Sequence, residues 1–427
     1  MTITQRLVAA YVLLLITSGC ARQANQEPPK GAARTEPVAL MGQPVRVSAE
    51  ERDAAEPAMA TSLDGTLYIA WVEHKESEAD VLFAKLDKEG KASGAPPVRV
   101  NPKAGAATAW RGDPPTIAVG QDGSVYVGWT ARVPGDEHAN DLYLSVSRDQ
   151  GQKFDPPVKV NDDPKPAVHG MHSLALSTDN RVYVAWLDER NVNRPQPSEQ
   201  AGGHHMENNR DVYMTVSTDG GRTFAPNLRV ASDACPCCKT ALAVSPDGRL
   251  YLSWRQVLPG DFRHIAVSSS DNAGKNFSPP VIVSDDRWML KGCPVSGAAL
   301  NAGADGALHV LWYAAGERGA PGFYWSESRD GGRTFAPRRL FAGTPARGTP
   351  ILLRSGTSGE MAVWEVTDNG TSRIILTRLV GDAANSMTVA DGALPSAAAA
   401  GDHLYIAYIG QSSGQKRSVW LVSAKSI

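Results

Sequence analysis

Along most of the chain, short runs of alternating apolar and polar residues are broken by turns rich in Gly, Asp and Pro. Five of these runs share one phrase: "LDGTLYIAW" ending at Trp71, "QDGSVYVGW" at Trp129, "TDNRVYVAW" at Trp186, "PDGRLYLSW" at Trp254 and "ADGALHVLW" at Trp312. Weaker copies, "SGEMAVW" at Trp364 and "GDHLYIAY" at Tyr408, continue the series. Each is a tight turn followed by large apolar residues at every second position, the pattern of a β-strand entered from an Asp-Gly turn. A phrase that recurs in this way marks a repeat architecture, and the period of two makes it an all-β one.

A second phrase sits between these runs: "SRDQGQKF" from Ser147, "STDGGRTF" from Ser217 and "SRDGGRTF" from Ser328, with "SSDNAGKNF" from Ser269 read as carrying one extra residue. These match the Asp-box, S-x-D-x-G-x-x-F/W, and on them the chain resembles the sialidase-like Asp-box (BNR repeat) β-propeller superfamily over its whole mature length. The box has a structural logic. Its Ser and Asp side chains bond the backbone of the turn, its Gly takes a left-handed conformation, and its aromatic ring fills the space beneath. The repeats predict an all-β, seven-bladed β-propeller of four-stranded antiparallel blades, with six blades, the count of family sialidases, as the alternative. The last unit lacks a fourth strand, and "QPVRVS" (43–48) reads as a strand without its own blade. An N-terminal strand that completes the last blade would close the ring and leave no open edge.

The N-terminus changes the picture of where this ring works. "MTITQRLVAAYVLLLITSGC" has Arg6, an apolar run from Leu7 to Ile16 too short to span a bilayer, and small residues before Cys20. It resembles a bacterial lipoprotein signal peptide, with Thr17 where the family usually has Leu. The resemblance implies a signal at 1–19, a lipid on Cys20, a tether over 20–43 rich in Ala, Pro, Gln and Glu, and a propeller over 44–427. The expected location is the bacterial cell envelope, anchored to the lipid bilayer on the periplasmic side. Ala21 in place of Asp points to the outer membrane. With 43 basic and 45 acidic residues the net charge is −2, which offers nothing for nucleic acid. A monomer whose partner is a small ligand, a glycan or a metal is expected.

Ligand sites belong on the face that carries the second-to-third and fourth-to-first strand connections, and the unusual residues fall there. "AVHGMHS" holds His169, Met171 and His172; "ACPCCKT" holds Cys235, Cys237 and Cys238; "WMLKGCPVS" holds Cys293; and a long insertion holds His204, His205 and Met206. Cys235 and Cys293 each stand twelve residues before the Asp of the next Asp-Gly turn, so they occupy one blade position in adjacent repeats. Three readings stay open. Disulfides Cys235–Cys238 and Cys237–Cys293 suit an oxidising compartment. Thiolates and thioethers beside imidazoles suit copper, or else zinc. A thiol redox site is the third, although no helix opens at the motif to lower a thiol pKa.

The family resemblance also implies glycan chemistry, whose parts must be sought singly because fold does not give function. Sialidases clamp the substrate carboxylate with three arginines, the first in an R-I-P phrase entering the first blade. Here that stretch reads "RDAAEPAM", with Ala55 in place of the arginine and Glu56-Pro57-Ala58 in place of I-P-x. An enzyme of this chain would be a glycoside hydrolase of sialidase type lacking its first triad arginine, and no catalytic residue is assigned. Arg111, Asp113, Arg132, Asp188, Glu189, Arg190 and Arg255 remain as candidates for holding an anionic sugar, or else as ion pairs between loops.

Overall fold

The computed structural model describes residues 38–426, apart from 92–93, 109–112, 193–207, 291–293, 304, 357–358, 380–385 and 412–415. Among the described residues there is no α-helix, and the strands follow one another as antiparallel meanders. After β1 (Val38–Leu40) and β2 (Val45–Arg46), the first group is β3 (Asp53–Thr61), β4 (Leu67–Lys75), β5 (Glu78–Leu86) and β6 (Val98–Arg99). The second is β7 (Thr116–Val119), β8 (Val125–Val133), β9 (Asp136–Ser147) and β10 (Val158–Lys159). The third is β11 (His169–Leu176), β12 (Val182–Asp188), β13 (Arg210–Ser217) and β14 (Leu228–Ala234), and the fourth is β15 (Ala241–Val244), β16 (Leu250–Leu258), β17 (Phe262–Ser270) and β18 (Val281–Ile282). These two join into one eight-stranded sheet through a bridge between Ala234 and Gln256. Next come β19 (Ala298–Ala302), β20 (Leu308–Ala314), β21 (Gly322–Ser328) and β22 (Arg339–Gly343), then β23 (Ala346–Ser355), β24 (Gly359–Asp368), β25 (Thr371–Arg378) and β26 (Met387–Asp391). The last group is β27 (Ala393–Ala400), β28 (His403–Gln411) and β29 (Arg417–Ser426), completed by β1 and β2 pairing with β29.

The apolar positions of the repeated phrase explain the packing. Each second strand of a group is buried on both faces, as in β8, and Trp71, Trp186, Trp254 and Trp312 are wholly buried. Apolar clusters lie between successive groups: Val81 and Phe83 of the first meet Val127 and Trp129 of the second. The series ends where Tyr405 and Leu421 of the last group meet Ile69 and Trp71 of the first, so the ring closes on itself. Truncating one such tryptophan to Ala removes about 3–5 kcal/mol of packing.

The Asp-box turns form as their composition requires. Ser147 Oγ donates to Asp149 Oδ1 (2.8 Å) and accepts from the Gly151 amide (2.7 Å), with Gly151 at φ +90°. A Cβ on Gly151 would overlap the Phe83 ring, and Phe154 of the same box packs edge-on to that ring at 5.2 Å. The fourth box differs from its sequence reading. Its frame starts at Ser270, not Ser269, and has no extra residue: Ser270 Oγ donates to Asn272 Oδ1 (2.9 Å) and accepts from the Gly274 amide (3.0 Å). Asn272 stands where the other boxes have Asp, and its side-chain oxygen accepts the same bond.

Two further differences concern the N-terminus. The compact unit runs from Pro37 to Ile427, and β1 lies inside the stretch read as tether. Besides β2, the apolar "VAL" of β1 extends the outer edge of β29, with Leu40 opposite Ala424. Cys20, expected to carry lipid, lies outside the described residues.

Candidate functional site

Two concavities adjoin at the end of the ring opposite the Asp-box turns. A cavity of about 380 Å³ touches the first strand of every group, at Met59, Ile117, Leu174, Leu242, Leu300, Leu352 and Ala397. Its charged lining is Glu56, Lys239 and Glu365. Glu56 sits at a bulge in β3 with φ +49°, a left-handed conformation costing a non-Gly residue about 1–2 kcal/mol, and His74 (2.7 Å) and Arg417 (3.6 Å) hold its carboxylate. The second concavity is a cleft of about 250 Å³ lined by Thr108, Asp113, Arg132, His138, Asn140 and Arg210, among others. It lies where the β8–β9 hairpin turns, with Arg132 paired across to Asn140, against the start of β11. Arg132 is exposed, and its guanidinium has no hydrogen-bond or ion-pair partner among the described residues.

The floor of the cleft is a buried ionic network. His169 is fully buried; its Nδ1 meets the Asn140 carbonyl at 2.5 Å, while its Nε2 lies 3.0 Å from Asp163 and 3.5 Å from Asp188. Burial disfavours the charged ring, but the bond to Asp163, the Asp188 charge and the Asn140 carbonyl outweigh it and raise the His169 pKa above 6.5. Asp163 is held well below the usual carboxylate range, since His169, Asn161 and Arg190 outweigh its desolvation. Asp188 accepts from the Trp186 indole (2.7 Å) and from Arg190 Nε and Nη2 (3.0 and 2.9 Å). Arg190 also reaches Asp162 (2.7 Å) and stacks 4.1 Å above Tyr213.

Between cleft and cavity stands a second cluster. Asp113 lines the cleft, with His172 Nδ1 at 3.1 Å on one side and Lys239 Nζ at 3.5 Å on the other. Burial works against the Asp113 carboxylate, but the His172 and Lys239 charges outweigh it and hold it well below the usual range. Burial lowers the Lys239 pKa, with Asp113 opposing it.

The cysteines do not join either ionic cluster. Cys235, Cys237 and Cys238 are buried in one apolar cluster with Met171, and their sulfurs lie within 4.8 Å of one another. Cys235 and Cys238 are free thiols, whereas Cys237 is disulfide-bonded. The Cys235–Cys238 disulfide of the sequence reading is not formed: Cys238 Sγ donates to Cys235 Sγ at 3.5 Å, far beyond the ~2.05 Å of a bond. That hydrogen bond, together with Arg255 and Arg263, lowers the Cys235 pKa, while burial raises that of Cys238.

Of the residues singled out from sequence, the structure brings Asp113, Arg132, His169 and Met171 to the cleft. It turns the others inward. Asp188 and Arg190 satisfy each other, Glu189 pairs with Arg210 at 2.5 Å, and Arg255 is fully buried within β16, donating to the Ser296 and Tyr313 carbonyls. Neither His169 nor His172 joins the sulfurs, because both rings are engaged by carboxylates; among the described residues the sulfur group contains cysteines alone. Arg111, Cys293, His204, His205 and Met206 lie outside the described residues. Sequence reasoning missed Asn140, His138 and Arg210. For Asn140 and His138 the available signal was the turn after "VYVGWTARV", on the face already favoured for ligands.

No family model matches the chain, and no curated protein does. Solved structures do. A protein of unknown function from Dyadobacter fermentans has a TM-score of 0.54 at 14% identity, over 91% of this chain and 99% of that one. An ulvan lyase of a polysaccharide lyase family, bound to -[GlcA(1-4)Rha3S]-, has 0.53 at 12% identity, over 89% and 96%. The polysaccharide lyase Uly1 has 0.52 at 10%, over 94% of each chain. At these identities the likeness is one of fold alone: an antiparallel β-propeller, whose groups here carry the Asp-box turns described above.

Proposed function

We infer that the protein is a glycan-binding propeller that holds an acidic saccharide in the cleft beside Arg132. The observation that carries this reading is the Arg132 guanidinium, exposed in a concave site with no partner among the described residues. A planar guanidinium matches a carboxylate or sulfate through two parallel bonds, and such groups are the recognisable charge of acidic sugars. The axial cavity is the poorer seat, since Glu56 and Glu365 line it and repel an anion. The ulvan lyase of the same fold binds a saccharide that is itself acidic, which favours this ligand class over a neutral glycan. Anchoring through a lipid on Cys20, at the periplasmic side of the outer membrane, belongs to the same proposal and would set the cleft among envelope polymers.

The test is calorimetric titration of the purified protein with uronate- and sulfate-bearing oligosaccharides against neutral ones of equal length. Arg132→Ala removes one charge-assisted contact of about 1.5–3 kcal/mol and should weaken binding roughly 10- to 100-fold. Absence of binding at millimolar acidic saccharide, or equal binding by the variant, overturns the reading.

A further inference from the structure

A separate site lies in the short loop between β14 and β15, behind the wall of the saccharide cleft that Met171 and Arg210 form. We propose that Cys235 and Cys238 form a buried two-sulfur seat for one monovalent soft metal ion of the Cu(I) class. Both are free thiols, at most 1% exposed, with their sulfurs 3.5 Å apart. A metal bound by both sulfurs at about 2.3 Å brings them to within roughly 4.6 Å of each other, so the observed spacing calls for little movement.

The loop that presents them is held in advance. The Cys235 amide donates to the Arg255 carbonyl (2.8 Å), the Thr240 amide to the Met171 carbonyl (3.0 Å), and Arg210 Nη1 to the Pro236 carbonyl (2.6 Å). The ligands therefore need not be gathered from a mobile chain, which favours binding.

Donor chemistry and charge together select the ion. Thiolates favour Cu(I) and Zn among biological metals. Structural zinc requires four ligands, yet among the described residues no imidazole or carboxylate joins the sulfurs, and Cys237, though 4.0 Å from Cys235, is taken up in a disulfide. The surroundings are cationic. Arg263 Nη1 lies 3.3 Å from Cys235 Sγ, with Asp261 3.7 Å from its other end. Arg255 is fully buried, and its Nη1 has no hydrogen-bond partner among the described residues. A buried guanidinium needs a counter-charge. Two thiolates around a monovalent ion retain one negative charge to face it, whereas a divalent ion would cancel both.

The experiment presents Cu(I) anaerobically, through a coloured competing chelator, to the purified protein with the Cys237 disulfide intact. One copper per chain is expected, with thiolate-to-copper absorption in the ultraviolet. Cys235→Ser and Cys238→Ser should each weaken binding at least 100-fold, and Zn(II) should not compete. Should a variant unfold, the wild type still decides: bound copper must protect two thiols per chain from alkylation on unfolding. No copper uptake, uptake unchanged in both variants, alkylation unchanged by copper, or equal affinity for Zn(II) overturns the proposal.

Discussion

Replacing Asp188 by Ala should cost more stability than any other exchange of a carboxylate beneath the cleft. The side chain is fully buried and accepts from the Trp186 indole at 2.7 Å, the Arg190 amide at 2.8 Å, and Arg190 Nε and Nη2 at 3.0 and 2.9 Å. Truncation leaves a wholly buried indole N–H without an acceptor, about 1–3 kcal/mol by itself. It also removes one of three carboxylates balancing Arg190 and His169, and breaking a buried pair costs about 3–5 kcal/mol in total. Arg190 keeps Asp162 and Asn227, and His169 keeps Asp163, so the lower half of that range is expected. The assay is urea unfolding followed by tryptophan fluorescence, with Asp188→Asn as the milder variant that retains one acceptor oxygen. The pH dependence adds a second readout. His169 has its pKa raised in the folded state, so its contribution is complete below its ordinary 6.5 and is lost as pH climbs through the folded value. Asp163 has its pKa depressed, so its contribution is complete above its ordinary 3.8 and is lost as pH falls through the folded value. Stability from this network should therefore be greatest between about pH 4 and 6.5, and Asp188→Ala should flatten the loss on the alkaline side. A loss under about 1 kcal/mol, with an unchanged pH profile, would show that the network is slack and the reasoning wrong.

No efficient release of sialic acid is expected, because Ala55 is buried opposite Val72 and Glu56 brings a carboxylate to the cavity where a substrate carboxylate would need a cation; turnover of an aryl sialoside at about 1 per second or faster would contradict this. Deleting the chain before Ala49 removes the Met41 and Val47 amide bonds to β29, the Ser48 Oγ acceptor of the Val419 amide and the Arg46 stack on Trp420. At about 0.5–1.5 kcal/mol each, this should lower stability by several kcal/mol and expose the β29 edge to aggregation, so an equally stable, soluble truncation would refute the closure. Peptide mapping without reduction should find Cys237 linked to Cys293, the remaining cysteine if Cys20 carries lipid, with Cys235 and Cys238 alkylated only after unfolding; an unlinked Cys237 peptide would refute it.

The ring was legible because its determinants are local and repeated. Trp71, Trp129, Trp186, Trp254 and Trp312 each stand fifth in the second strand of a group, and the Ser, Asp and Gly of each box bond within five residues of one another. The misread box shows the limit of that legibility. "SSDNAGKNF" offers two serines and two side-chain oxygens, and only the spacing from Ser270 to Gly274 and Phe277 selects Asn272 over Asp271. Strand β1 escaped notice because three apolar residues suffice where an open edge already waits.

The site was legible only in outline, for a reason that lies in the ring itself. Equivalence between repeats tells which residues share a face, and it put Asp113, Arg132, His169 and the cysteines on one. Side-chain partners, however, come from the neighbouring repeats. Asp113 precedes β7, His172 lies in β11 and Lys239 precedes β15, yet the three meet because their strands are successive around the axis. No local spacing encodes that meeting. The arginines show the same effect: Arg190 and Arg255 stand near the face in sequence, but carboxylates and carbonyls from adjoining loops absorb them, whereas Arg132 at a hairpin turn has none within reach among the described residues. In such a ring the residue left over after neighbouring repeats have satisfied one another is the one with charge to spend on a ligand. That is why an exposed arginine, rather than the denser clusters of His and Asp beneath it, carries the functional reading.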